Sequence, residues 1–151
     1  MGLCVFDVIP HERLYSTARF RREGFVMLSG EFVRELRSSW LPNVTDTGLE
    51  RVIELLDKQS PLLVFGRFTG AVPMGCLASH FGWHHPQVAH RTTDAGILWL
   101  TRVAGLNPAT SQVILSWDHC GPRDWTFRAE LSQLLKDERE ARHGRECCLA
   151  G

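Results

Sequence analysis

TTDAGILWLTRVAGLNPATSQVILSWDHCG, residues 92–121 of this 151-residue chain, decides the reading of the fold, because start and stop signals for two consecutive helices are both complete in it. Thr92 or Thr93 offers an N-cap oxygen, Asp94 suits the positive end of a helix dipole, and Gly105 can take the left-handed conformation that closes a helix. The spacing predicts a first helix over Asp94–Ala104. Asn107 then caps a second helix over Pro108–His119, with Pro108 at the first position, where its missing N–H costs nothing, and Gly121-Pro122 as the stop. The consequence is two helices joined by a tight turn.

Working outward, Leu3–Ile9 is apolar enough for a short strand, His11–Arg22 spaces Leu14, Tyr15 and Ala18 helically, and Phe25–Leu28 is a second strand candidate. Glu31–Trp40 puts Phe32, Val33, Leu36 and Trp40 on one helical face before Pro42. Thr45–Lys58 carries an apolar stripe of Leu49, Val52, Ile53, Leu55 and Leu56 behind a cap at Thr45, Asp46 or Thr47. Leu62–Phe68 reads as a buried strand or an extended loop, and Gly66 and Gly70 favour the loop. Met74–Phe81 is expected to be a short helix. Trp125–His143 is the last, with Phe127, Leu131, Leu134 and Leu135 inward and the Asp137–Arg142 charge run outward. The sum is a mainly α or α+β fold, one domain over residues 1–143 with about six helices and two or three short strands, and a frayed tail over 144–151. Trp40, Trp83, Trp99, Trp117 and Trp125 are expected to anchor the core.

Seventeen basic and seventeen acidic side chains cancel, which argues against a nucleic-acid partner bound chiefly through counterion release. No apolar run approaches the roughly 20 residues that cross a bilayer, and Met1–Pro10 lacks the pattern of a secretory leader. The expectation is a cytoplasmic protein without a membrane partner. Cys4, Cys76, Cys120, Cys147 and Cys148 are odd in number and irregularly spaced, so they read as free thiols rather than a disulfide framework.

Chemistry-bearing side chains concentrate at His80, His84, His85 and His90, with Cys76 upstream and Asp94 downstream. Cys76, His80, His84, His85 and Asp94 are metal-ligand types that would suit zinc, and Cys76 and His80 lie one helical turn apart. A thiol reading of the same residues makes Cys76 a nucleophile with His80 as its base. Against both stands the absence of a His-Glu-x-x-His or paired Cys-x-x-Cys spacing. The plainer reading is a solvated histidine loop packed by Trp83, with an inert buried Cys76. No nucleophile elbow, phosphate loop or dinucleotide fingerprint occurs.

Val103–Thr110 resembles the turn of a DNA-binding helix-turn-helix over about 20 residues, the length of that motif. It departs where Ser111 stands at an apolar position and where Asn107–Asp118 carries no Arg or Lys, so an ordinary helical hairpin competes with it. Over Leu49–Leu135, a Leu-rich helix, Gly75-Cys76-Leu77-Ala78, Val113-Ile114 with Trp117-Asp118, and a closing amphipathic helix together resemble a small uncharacterised domain family of bacterial and phage proteins. That family shows a Gly after its Cys-x-Leu and an Asn between the Trp and Asp, and both are missing here. The resemblance implies a compact helical domain and no particular activity. Since each chemical constellation is incomplete, the expected function is a non-enzymatic binding module without a cofactor, working on a protein partner or on itself. A zinc- or cysteine-dependent enzyme at Cys76, His80, His84 and His85 is one alternative, and a helix-turn-helix DNA-binding protein is the other.

Overall fold

Ser29 starts the first helix by accepting the Phe32 N–H at 3.1 Å, in a computed structural model that describes residues 28–151. The elements expected over Leu3–Ile9 and His11–Arg22, nearly all of Phe25–Leu28, and Cys4 lie outside those residues. Helix α1 (Gly30–Glu35) runs on as a π turn, Leu36–Trp40, and a short 3₁₀ turn, Leu41–Asn43. Phe32, Leu36 and Trp40 recur every fourth residue, a spacing that drifts by about 40° per step around a regular α-helix. The wider π turn takes up that drift, and all three side chains are buried.

Thr45 caps α2 (Asp46–Asp57) by accepting the Gly48 N–H at 3.1 Å, and its stripe of Leu49, Val52, Ile53, Leu55 and Leu56 is buried as the spacing requires. Two of the next three helices start later than expected. Helix α3 is Leu77–Trp83, not Met74–Phe81, because Gly75 is held extended between Leu63 and Thr69 as the partner of two isolated bridges. Helix α4 (Ala95–Leu98) continues as a π turn, Trp99–Val103. Helix α5 is Gln112–Cys120, so Asn107-Pro108 does not begin it. Its cap is Ser111, whose hydroxyl accepts the Ile114 N–H at 3.3 Å, while Asn107 Oδ1 accepts the Ala109 N–H at 2.9 Å in a turn of its own.

Helix α6 (Trp125–Leu149) also outruns expectation, passing His143 and Gly144 into the stretch expected to fray. One glycine costs a helix only about 1 kcal/mol, less than the preceding turns supply. The protein is thus mainly α, with six α-helices among the described residues. Leu62–Phe68 is a loop, and the described residues contain isolated bridges rather than a sheet. No described helix is long and apolar enough to cross a membrane.

Two aromatic groups fill the interior. Trp40 meets Trp99 edge-on at 5.0 Å, and Phe81 closes the group at 5.9 Å and 5.7 Å from them. Phe32, Phe127, Trp117 and Phe65 form a second chain, ending in a stacked contact of 4.5 Å. Trp40, Trp99 and Trp117 are therefore core anchors, whereas Trp83 is half-buried. Trp125 corrects the expectation: it is 58% exposed, with the Arg128 guanidinium 5.5 Å from its ring.

Candidate functional site

Cys76 sits at the N-cap of α3, 2% exposed, with its sulfur 3.9 Å from Ser79 Oγ. Burial pushes its thiol up to about 11, so it is protonated at neutral pH and a poor nucleophile. His80, one turn on, donates from Nε2 to the Leu62 carbonyl at 3.0 Å and meets the Trp83 ring edge-on at 4.9 Å. A carbonyl only accepts, so Nε2 carries the proton. The His80 N–H donates to the Cys76 carbonyl at 3.1 Å, but among the described residues no side-chain hydrogen bond joins the thiol to the imidazole.

The other expected ligands are dispersed. His84 is half-buried past the end of α3, His85 Nδ1 accepts the Gln87 N–H at 3.2 Å, and Asp94 pairs with Arg91 at 2.8 Å. Among the described residues no three His, Cys, Asp or Glu side chains are grouped to hold a metal. Cys76, His80, His84, His85 and Asp94 do not converge, because His80, His85 and Asp94 are each committed to a local partner. The residue that spacing missed here is Ser79, fully buried, which donates to the Phe68 carbonyl at 2.6 Å and lies 3.2 Å from Thr69 Oγ1. Thr69 in turn donates to the Thr93 carbonyl at 2.9 Å, and Trp83 Nε1 to the Thr92 carbonyl at 2.7 Å. These bonds tie the loop before α3 and the entry to α4 onto α3, which makes the cluster a fastening for the fold.

That fastening is pH-sensitive with a defined sign. Burial holds His80 and, in the same direction, His84 below the ordinary imidazole pKa, so below about 6.5 the unfolded chain binds protons that the folded chain does not. Stability is expected to be complete above that pH and to fall as pH drops below it. His80→Gln, which keeps a donor for the Leu62 carbonyl, is expected to make the fall shallower. Urea unfolding at about pH 7.5 and pH 5.5 reads this directly. Equal slopes for the two proteins would show that His80 carries none of it.

The helix pair that resembles a DNA reader has a different geometry. Residues 104–111 separate the π turn of α4 from α5, against the three or four of a helix-turn-helix. Val113, Ile114 and Trp117 are buried, and α5 itself carries no Arg or Lys.

The charged concavity lies elsewhere, where the end of α1 faces the second half of α6. Arg142 reaches back across it, donating to the Leu41 carbonyl at 2.5 Å, the Val44 carbonyl at 2.9 Å, Asp46 Oδ1 at 2.8 Å and Glu138 Oε1 at 2.8 Å. Burial works against its charge, but the bonds to Asp46 and Glu138 outweigh burial and hold its pKa above the ordinary arginine value. Arg145, 63% exposed, touches Glu138 at 3.4 Å, and Arg37 is exposed without an ion pair among the described residues. Arg37, Arg142, Arg145 and Glu138 line a hollow of about 440 Å³ together with Leu41, Pro42 and Val44. Three guanidinium groups stand against Glu138 and against Asp46, which Arg142 also bonds, so a positive excess remains, carried by the exposed Arg37 and Arg145; planar guanidinium forks grip carboxylates in pairs of bonds.

The Asp137–Arg142 run, expected to face outward, instead lends Glu138 and Arg142 to this groove. The Glu138–Arg142 spacing of four was the available signal, whereas the carbonyls that Arg142 captures lie about a hundred residues away, out of reach of any local pattern. Arg142→Ala is expected to destabilise the protein by about 2 kcal/mol, lowering Tm by roughly 4–8 °C. The figure is held below that of a fully buried pair because the side chain retains 16% exposure. Arg142→Lys is expected to recover little of it, since an ammonium cannot span the same four acceptors. Thermal unfolding of the two variants checks both statements.

The chain matches no protein-family model, no curated protein and no solved structure. The resemblance over Leu49–Leu135 therefore rests on its own residues, and the groove is read from its geometry alone.

Proposed function

We propose that this chain is a non-enzymatic interaction module that takes an acidic segment of a protein partner into the groove between α1 and α6. The observation that carries the reading is the set of Arg37, Arg142 and Arg145 around a hollow that Leu41, Pro42 and Val44 also line. An extended segment with a carboxylate beside an aliphatic side chain satisfies both features. Arg142 fixes the wall through its backbone bonds, and the exposed Arg37 and Arg145 supply the adjustable contacts. Cytoplasmic residence belongs to the same proposal, supported by Cys76, Cys147 and Cys148 being free thiols.

The test is fluorescence anisotropy with two labelled peptides, one alternating Glu and Leu and the other alternating Lys and Leu, titrated with the full chain. The acidic peptide is expected to bind, more weakly as salt shortens the Debye length, and the basic one not to bind. The double variant Arg37→Glu, Arg145→Glu is expected to lose at least tenfold in affinity while unfolding at the same temperature, since both side chains are exposed. Equal binding of the two peptides, an unaffected double variant, or tighter binding of mixed-sequence duplex DNA than of the acidic peptide would each overturn the proposal.

A further inference from the structure

We propose that the projecting end of α6 carries half of a zinc site, completed by a second copy of the chain through His143 and Cys147. The inference is independent of the arginine groove. His143 and Cys147 are both exposed and stand four residues apart on one helix, a spacing that puts their Cβ atoms about 5–6 Å apart on one face. An imidazole and a thiol at that separation can reach one ion, at about 2.0–2.1 Å for nitrogen and about 2.3 Å for sulfur.

Zinc in a structural site takes four such ligands in a tetrahedron, and one chain supplies two. No group of three ligand side chains exists among the described residues, so the chain does not close this site by itself. A two-fold axis beside α6 brings up the same pair from a second copy and completes a Cys₂His₂ set. The approach is open: every residue from His143 to Gly151 is exposed, and Gly144 has nothing within 4 Å of the position a Cβ would take. Binding is proton-balanced, each Cys147 thiol releasing its proton to solvent as it becomes a thiolate ligand and each His143 coordinating as neutral imidazole. Cys148, the next residue, points about 100° around the helix and stays outside the set.

Sedimentation velocity of the full chain, free of affinity tags and kept reduced, tests the inference with zinc at one ion per two chains. A dimer is expected with zinc and a monomer after chelation. His143→Ala and Cys147→Ser are each expected to abolish the zinc-dependent dimer, while Cys148→Ser keeps it; all three positions are exposed, so helical circular dichroism stays unchanged. With cobalt in place of zinc, a thiolate charge-transfer band is expected in the parent chain and in Cys148→Ser and is expected to vanish in Cys147→Ser. No change of mass with zinc, a dimer that survives either His143→Ala or Cys147→Ser, or a cobalt complex without the thiolate band would overturn it.

Discussion

Alanine at Gly82 or at Gly96 is expected to destabilise the protein by about 3 kcal/mol in each case, lowering Tm by roughly 6–12 °C. The two glycines are where α3 and α4 touch backbone to backbone. A Cβ on Gly82 would stand 2.5 Å from the Ala95 carbonyl oxygen and 2.8 Å from its carbon, and one on Gly96 would stand 2.5 Å from Ser79 Oγ and 2.8 Å from Ser79 N. Neither neighbour is the free end of a flexible side chain. Relief at Gly96 requires Ser79 to move, and Ser79 holds the Phe68 carbonyl from a fully buried position. Relief at Gly82 requires α4 to back away, opening the contact of Trp99 with Phe81. Gly144→Ala is the control, because nothing lies within 4 Å there and the helix gains up to about 1 kcal/mol from alanine. Urea unfolding of the three variants measures the contrast. A Gly96→Ala protein as stable as the parent would mean that the helices are not in this close contact.

What the sequence showed and what it hid divide along the range of the forces involved. The stripe of α2 and its Thr45 cap were legible because burial periodicity and capping act within one helix. The start of α5 was not. Asn107-Pro108 is a sound local signal, but Ser111 wins because Glu35, on α1, lies against it and adds long-range bonds that no local pattern contains. Gly75 is a similar case, held extended by Leu63 and Thr69 so that α3 starts late. At the candidate sites the residue types were visible and their directions were not. The spacing of Cys76 and His80 places them on neighbouring turns, yet the bond between them is backbone to backbone and the imidazole is turned to the Leu62 carbonyl. Arg37 and Arg142 come together only because α6 folds back over the end of α1, and so the groove was beyond sequence reading.

Glu35→Ala is expected to destabilise the protein by about 3 kcal/mol, again roughly 6–12 °C in Tm, through an effect at the start of a helix distant in sequence. Glu35 Oε1 accepts from Ser111 Oγ at 2.5 Å, Trp40 Nε1 at 3.1 Å and the Val113 N–H at 3.3 Å, and Oε2 accepts from the Gln112 N–H at 2.7 Å. Two of those donors belong to the orphan N–H groups at the start of α5, where the dipole also favours an anion. The other two belong to Trp40 and Ser111, which are 0% and 2% exposed and have no water to turn to once the carboxylate is gone. The loss also spreads along the cap, because the Ser111 hydroxyl that donates to Glu35 is oriented to accept the Ile114 N–H. Glu35→Gln separates size from charge. It fills the same space, but its NH₂ replaces an acceptor oxygen with donors facing donors, so it is expected to recover less than half of the loss. A Gln variant as stable as the parent would reduce Glu35 to a space-filling role, and an Ala variant within about 0.5 kcal/mol of the parent would remove the clamp between α1 and α5 altogether.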